Sequence, residues 1–522
     1  MRRFPHLLAA AAALTIAIPA TASGKGFTYG VAAGEVTSSS AVLWTRSDKA
    51  GTVRLDVSTD GDKRFGERGD LTKSLKAGAS TDNTVQAKVT KLRPGKVFYY
   101  RFVKGSNASD VGRFKTAPAS TRVQTVVFGL SGDADATPAA GQTKPFWNNF
   151  ETYGRMAKDG NDFNVNLGDT IYSDSEVPSF TGAPEPAPAL TVPEKWAKYK
   201  LNLALKNLQA IRRATGLYSH WDDHEFINDF SKAENGSAVY SAGVAAFRNY
   251  APVTYTKSLG LYRKFRWGKN VELFFLDERS FRDAKADDAC INPETGQPDL
   301  APTAPPRTRN TFAVLVPSFS QPVSQQCLDT INSPDRTFLG KTQLARFYKD
   351  VAASTATFKV IVNELPIQML YALPYDRWEG YEAERQAVLR YLQSKVENVV
   401  FLSTDVHANL INDARLKTLE DGGPVNTGIM DFSTGPVATR SFEKQIDNTT
   451  GKPGSGDAVE AAFFKPQPPD GLGMPCVNSD VFSYVRVTVS AKSLVVAPRD
   501  FAGKPLTEQD GSACGPFTIT KK

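Results

Sequence analysis

The chain holds four histidines, and the three beyond His6 all stand beside aspartate. His220 and His224 fall in His220-Trp221-Asp222-Asp223-His224-Glu225, and His407 falls in Thr404-Asp405-Val406-His407. Imidazole with carboxylate is a ligand set for hard or borderline metals, which activate water for hydrolysis. Two further acidic blocks, Ser131-Gly132-Asp133-Ala134-Asp135 and Gly168-Asp169, each follow an apolar run. A lone Gly-Asp after a strand is usually a turn. Four such strand ends in one region, with Asn363 as a fifth, argue for a shared site: a cluster that two or three cations bridge. The i, i+4 spacing of His220 and His224 suits a zinc pair on a helix. Gly216-Leu217-Tyr218 before them reads instead as a strand. That leaves Asp223 as a metal ligand, His224 as an acid facing a leaving group, His220 as a hydrogen-bonded structural residue and Trp221 as core.

Strands and helices must deliver these ends. Val123 to Leu130, Phe163 to Leu167, Val271 to Leu276, Phe358 to Val362 and Val399 to Leu402 read as apolar strands. Helices are expected over Pro145 to Lys158, Glu194 to Thr215, Thr342 to Ala352 and Glu382 to Gln393. Strand, helix, strand with acidic groups at the strand ends is a βαβ reading. Such sheets place functional groups beyond the carboxyl ends of their strands, here along one edge of one sheet. Residues 26–117 look different. They carry β-branched and aromatic runs separated by Gly, Asp and Ser. Leu92-Arg93-Pro94-Gly95 before Phe98-Tyr99-Tyr100 matches the turn-and-tyrosine step of a fibronectin III-like sandwich. Ala117 to Ser120 reads as a linker to a catalytic domain over residues 122–520. Pro178 to Pro193 reads as a loop or lid, and Cys290 to Asp335 as a Pro-rich insertion.

At 522 residues, 41% hydrophobic and 22% charged, the chain has the makings of two or more soluble domains. The formal charge of +7 helps attract an anionic substrate. No basic run or basic-aromatic stripe points to nucleic acid. Residues 1–23 read as an export signal: Arg2-Arg3, an apolar stretch from Leu7 to Pro19, and Ala20-Thr21-Ala22. The arginine pair leaves the twin-arginine route open, with the periplasm or the exterior as destination. No later segment is long and apolar enough to cross a membrane. The four cysteines suit an oxidising compartment and allow three pairings. Proximity favours Cys290–Cys327 and Cys476–Cys514. No CxxC is present, which disfavours redox catalysis and a zinc ribbon. Nothing in the sequence sets an oligomeric state.

Four blocks in order complete the pattern: Gly168-Asp169-Thr170-Ile171-Tyr172, Trp221-Asp222-Asp223-His224-Glu225, Phe275 through Asp283, and Thr404-Asp405-Val406-His407. Together they resemble the PhoD-type alkaline phosphatases, within the calcineurin-like metallophosphoesterases. The resemblance runs from about residue 26 to the C-terminus. It implies an α/β fold with a four-layer α/β/β/α core after the β-sandwich. It also implies a secreted enzyme that hydrolyses phosphate monoesters through a metal-activated hydroxide. The alternative is a phosphodiesterase or phospholipase D-like enzyme, with a phospholipid or other diester as substrate. Iron(III) and calcium are the implied metals. Asp169 takes the bridging position, Tyr172 the place of an Fe(III) ligand, Asp223 that of a metal ligand and His224 that of a catalytic residue. Asp405 and His407 come from the last block. Arg279 and Arg282 either hold phosphate or form structural ion pairs. The first block departs from the family's usual Ser-Cys: Asp133, or Asp135 as second choice, replaces the thiolate. Manganese, magnesium or zinc therefore stay open beside iron and calcium. The rival from another class, a binding protein with a structural metal, does not call for an acidic edge shared by so many strands.

Overall fold

The structure is a computed structural model that describes residues 24–184 and 186–522; the leader read over residues 1–23 lies outside them. Two large sheets form its centre. In the nine-stranded sheet, Val126–Ser131, Phe163–Leu167 and Gly216–His220 run parallel side by side. In the seven-stranded sheet, Val271–Phe275, Phe358–Val362, Val399–Ser403 and Val425–Ser433 do the same.

Alternation of side chains sets the layers. Leu273 and Phe275, Val360 and Val362, and Val400 and Leu402 enter one core with Phe128, Val165 and Tyr218 of the other sheet. The residues between them, Phe274, Ile361 and Phe401, enter a second core. There they meet Phe347 of helix Lys341–Ala352 and Leu389 of helix Glu382–Lys395. On the far side Leu217 and Trp221 meet Tyr199, Ile211 and Phe247 from three helices. The order is thus helix, sheet, sheet, helix. Each such apolar side chain contributes roughly 1.5–3 kcal/mol by leaving water.

Several elements differ from the sequence expectation. The helix expected over Pro145 to Lys158 is confined to Glu151–Met156. The one expected over Glu194 to Thr215 is two, Val192–Leu203 and Lys206–Ala214, because Leu205 is extended. The Pro178 to Pro193 stretch begins with a short helix, Val177–Thr181. In the N-terminal region, strands Val31–Gly34, Ser40–Arg46 and Thr84–Thr90 extend the nine-stranded sheet, and Ala33 pairs with Gly216. A separate five-stranded sheet around Gly51–Ser58 and Val97–Lys104 packs on the same core. Ala117 is buried and its N–H donates to Thr37, so the exposed part of the expected linker is Ala119 and Ser120. The disulfides are Cys290–Cys327 and Cys476–Cys514. Among the described residues no helix is long and apolar enough to cross a membrane.

Candidate metal centre

Asp133, Asp169, Asp222 and Asp405 each stand two residues beyond the last residue of a parallel strand. The sequence expected one sheet edge. The structure uses two: the first three come from the nine-stranded sheet, Asp405 and His407 from the seven-stranded one. Thr404 Oγ1 donates to the Leu167 carbonyl at 2.7 Å and ties the two edges together. Glycine lets them approach. At Gly168 (φ 76°) a Cβ would stand 2.5 Å from Asp222 Cβ, and at Gly132 one would collide with the Leu167 carbonyl. Asp133, Asp169, Asp405 and His407 all have left-handed φ, between 46° and 66°. Such strain costs on the order of 1–3 kcal/mol per residue and gathers at functional sites.

Four overlapping sets of donors result: Asp133, Asp169 and His407; Asp169, Asp223 and His224; Asp222, Asp223 and Asp405; and Asp223, Asp229 and Asp376. Within each, the donor atoms lie within 4.8 Å of one another. Asp169 and Asp223 are each shared between sets, as a bridging ligand would be. Burial, with repulsion from Asp222 and Asp223, pushes the carboxyls of Asp133 and Asp405 well above the usual range. Burial does the same at Asp169, where Asp223 and Asp222 add repulsion against the pull of His224. Asp133 Oδ2 is buried with no hydrogen-bond partner. Buried like charges and an orphaned carboxylate oxygen are what cations resolve, so the residues fit metal ions. An oxygen and nitrogen set suits hard or borderline ions. Asp135 is outside the cluster: its oxygens take Ser175 Oγ and the Thr137 N–H. Asp133 is therefore the member of the first block that the fold brings in.

His224 Nδ1 stands 2.7 Å from Asp174 Oδ1. Burial works against a proton on this ring, but Asp169, Asp174 and Asp223 outweigh it and raise the pKa well above the usual imidazole value. Cations on Asp169 and Asp223 would cancel much of their share and leave Asp174. The Tyr172 ring lies 4.1 Å from the His224 ring, and its hydroxyl is 3.1 Å from His407 Nε2. Burial, with Asp169 and Asp133 nearby, raises the Tyr172 phenol. Burial, with Arg440 nearby, lowers His407 to about 3 and leaves it neutral, the form that binds metal. His220 is buried away from the cluster, with Nε2 2.6 Å from the Leu276 carbonyl and Nδ1 taking an Arg263 hydrogen bond.

Of the two alternatives for Arg279, the geometry favours the ion pair. The residue is fully buried and its guanidinium is spent on Asp222 at 2.5 Å, Asp376 at 2.7 Å and Asp405 at 3.1 Å. It serves as countercharge beneath the aspartates and does not line the open cleft. Arg282, bound to Asp376, is likewise an ion-pair residue. Asn363 follows its strand as expected, but its amide nitrogen bonds the Leu365 carbonyl while Oδ1 is buried without a partner. The cleft, about 320 Å³, is lined by Asp169, Asp223, His224, Asp405 and His407 and also by Asp229, Asp376, Arg377 and Arg440. Sequence reasoning missed the last four. Asp376 and Arg377 lie at a turn rather than a strand end. Arg440 stands in a loop after the Val425–Ser433 strand. Asp174 was within reach, since it lies two residues beyond the block that begins at Gly168.

The PhoD-like phosphatase family model matches residues 136–494, and the model of that family's N-terminal domain matches residues 10–118. Alkaline phosphatase D of Bacillus subtilis (strain 168) is 28% identical over 429 residues. The match takes in 74% of this chain and 65% of that protein, so the chain spans just under two thirds of that relative. Among solved structures, one of PhoD superposes with a TM-score of 0.69 at 22% identity over 94% of each chain. A purple acid phosphatase from yellow lupin (Lupinus luteus) seeds gives 0.55 at 11% identity, over 95% of this chain and 74% of its own. Both likenesses are of fold.

Proposed function

The chain belongs to the PhoD-like phosphatase family, and we propose that it is an exported, metal-dependent phosphoesterase that hydrolyses phosphate monoesters. One observation carries this reading: four donor sets, linked through Asp169 and Asp223, open onto one cleft with arginines in its wall. Asp133, Asp169, Tyr172, Asp223, Asp405 and His407 would hold the cations, with iron(III) and calcium as the metals put forward. Asn363, with its unpartnered oxygen, is a further candidate ligand. Cations there would supply the Lewis acidity that activates a water and neutralises phosphoryl oxygens.

The chain's own groups do the rest. Asp174 fixes His224 through Nδ1, which leaves Nε2 to hold the proton that a leaving alkoxide takes. Arg440 and Arg377 stand in the cleft wall, where a guanidinium suits the phosphoryl oxygens. Arg279 keeps Asp222 and Asp405 in place from below. Two disulfides support export to an oxidising compartment. The paired sheets of residues 26–117 support a fibronectin III-like sandwich as the first domain.

A second reading, phosphodiester hydrolysis, is favoured by two hollows that adjoin the cleft. One, of about 520 Å³, has a mixed polar and apolar lining, and one, of about 120 Å³, is apolar; a diester has two groups to place. Replacing Asp169 or Asp223 with Ala should abolish turnover of a chromogenic phosphate monoester and lower metal content. Retained activity in both variants would overturn the assignment. Rates on a matched diester decide between the two readings.

A further inference from the structure

The Pro-rich insertion takes no part in the chemistry above. Closed by Cys290–Cys327, it folds over helix Phe442–Thr450. Between them lies the apolar pocket of about 120 Å³. Ala304, Phe312 and Phe319 of the insertion form one wall, and Phe442, Ile446 and Phe463 form the other. Leu373, Phe442, Gln445 and Thr449 line both this pocket and the catalytic cleft. Val406, between the candidate ligands Asp405 and His407, belongs to the same apolar cluster. The one arginine in the wall, Arg309, is committed to Asp299 through two hydrogen bonds of 2.8 and 2.9 Å. The pocket therefore offers a ligand no free charge.

We infer that this pocket binds the hydrocarbon part of the ester, a short alkyl chain on the oxygen whose phosphoryl group sits in the cleft. The inference rests on the phosphoesterase reading and adds a substrate class to it. Continuity with the cleft sets the attachment, and the lining sets the chemistry. Size sets the limit. A dry cavity of about 150 Å³ takes a benzene ring, so about six carbons fill this one. A pocket of this kind discriminates by apolar area, roughly 0.8 kcal/mol per methylene, which is about fourfold in kcat/KM.

The test is a series of n-alkyl phosphates from ethyl to octyl, run on the metal-loaded protein. The expected result is a rise of about three- to fourfold in kcat/KM per methylene up to about hexyl, then a plateau. Ala304→Phe fills the pocket, and Ile446→Gln makes a half-buried wall position polar. Both should flatten the series and leave the ethyl phosphate rate unchanged. Calorimetric titration with n-hexylphosphonate should give tighter binding than ethylphosphonate in the parent protein only. A flat series in the parent, or the same slope in parent and both variants, overturns the inference. A rise confined to concentrations at which octyl phosphate aggregates assigns the recognition to a lipid-like surface and overturns it too. If no ester is hydrolysed, ethyl phosphate included, the phosphoesterase reading falls, and the hexylphosphonate titration still decides the pocket.

Discussion

The acidic centre and the pocket beside it are held by opposite forces. At the centre, four aspartates are aimed by the ends of parallel strands, and Asp133, Asp169 and Asp405 sit in left-handed backbone. Their carboxyls repel one another in a buried space. Everything local opposes that arrangement, and the two sheets impose it. The insertion pocket also has left-handed residues in its wall, Tyr371 and Leu373, but they are not convergent carboxylates, and the pocket has no free charge. A disulfide and apolar contact shape it. Geometry at the centre is thus dictated from outside and depends on countercharge. Geometry at the pocket is self-supporting, and substitution there should cost selectivity before it costs chemistry.

Stripping the metals is the strongest way to break this contrast. The protein should lose turnover entirely and recover it on adding back the right ion. The pH dependence of stability should also invert. Without cations, the raised carboxyls hold protons that the unfolded chain releases near pH ~4. Their contribution is then full at acid pH and is lost as the pH rises through the folded-state values. With cations bound, acid should destabilise instead, because protons compete for the ligands. Thermal melts of stripped and loaded protein at about pH 5 and pH 9 check this. A stripped protein that is more stable at pH 9 would contradict the charge argument.

His224→Gln comes next. Loss of a positioned general acid costs roughly 10²–10⁴-fold. The loss should be largest for alkyl phosphates, whose leaving alkoxide needs the proton, and much smaller for p-nitrophenyl phosphate. Steady-state rates on the two esters measure the difference. Equal losses would place His224 in phosphate binding instead.

The same contrast explains what could be read in the sequence. Asp133, Asp169, Asp223, Asp405 and His407 were legible because apolar runs of strand length precede them and polar residues end those runs. The parallel strands, the outer helices Lys341–Ala352 and Glu382–Lys395, and both disulfide pairings were legible for similar local reasons. Assignment of strands to two sheets was not, since all the runs are equally apolar. Asp376 and Arg440 were invisible because long-range packing, not a periodic pattern, brings them to the cleft. Arg279 stood out as a charge in the right block, but its type could not tell a phosphate contact from a countercharge. Burial against Asp222, Asp376 and Asp405 favours the second. The insertion showed only its prolines and cysteines; its apolar residues have no period from which a pocket could be inferred.

The pocket's staple is tested by Cys290→Ser with Cys327→Ser. A separation of 37 residues corresponds to about 4 kcal/mol of lost unfolded-state entropy. Urea unfolding should show a loss of up to that size. Ethyl phosphate turnover should stay within about twofold while the preference for hexyl phosphate disappears, since the pocket wall loosens but the strand ends do not. A collapse of all activity would mean that the insertion positions the metal ligands and that the two regions are not independent.

The smallest effect concerns a carboxylate that lacks the remedy available at the centre. Glu443, in the first turn of helix Phe442–Thr450, has its pKa raised to about 7 by burial and by Asp480 and Asp457. Among the described residues it belongs to no group of three convergent donors, so no cation answers the repulsion. Its folded pKa exceeds the unfolded value near ~4.3, so its contribution is full below that pH and is lost as the pH rises through 7. Because the group is largely solvated, screening keeps the effect small. Glu443→Gln should therefore raise the melting temperature slightly at pH 8 and leave it unchanged at pH 4. An equal gain at both pH values would trace the effect to packing against Gln509, whose amide Glu443 now accepts at 2.6 Å, and not to charge.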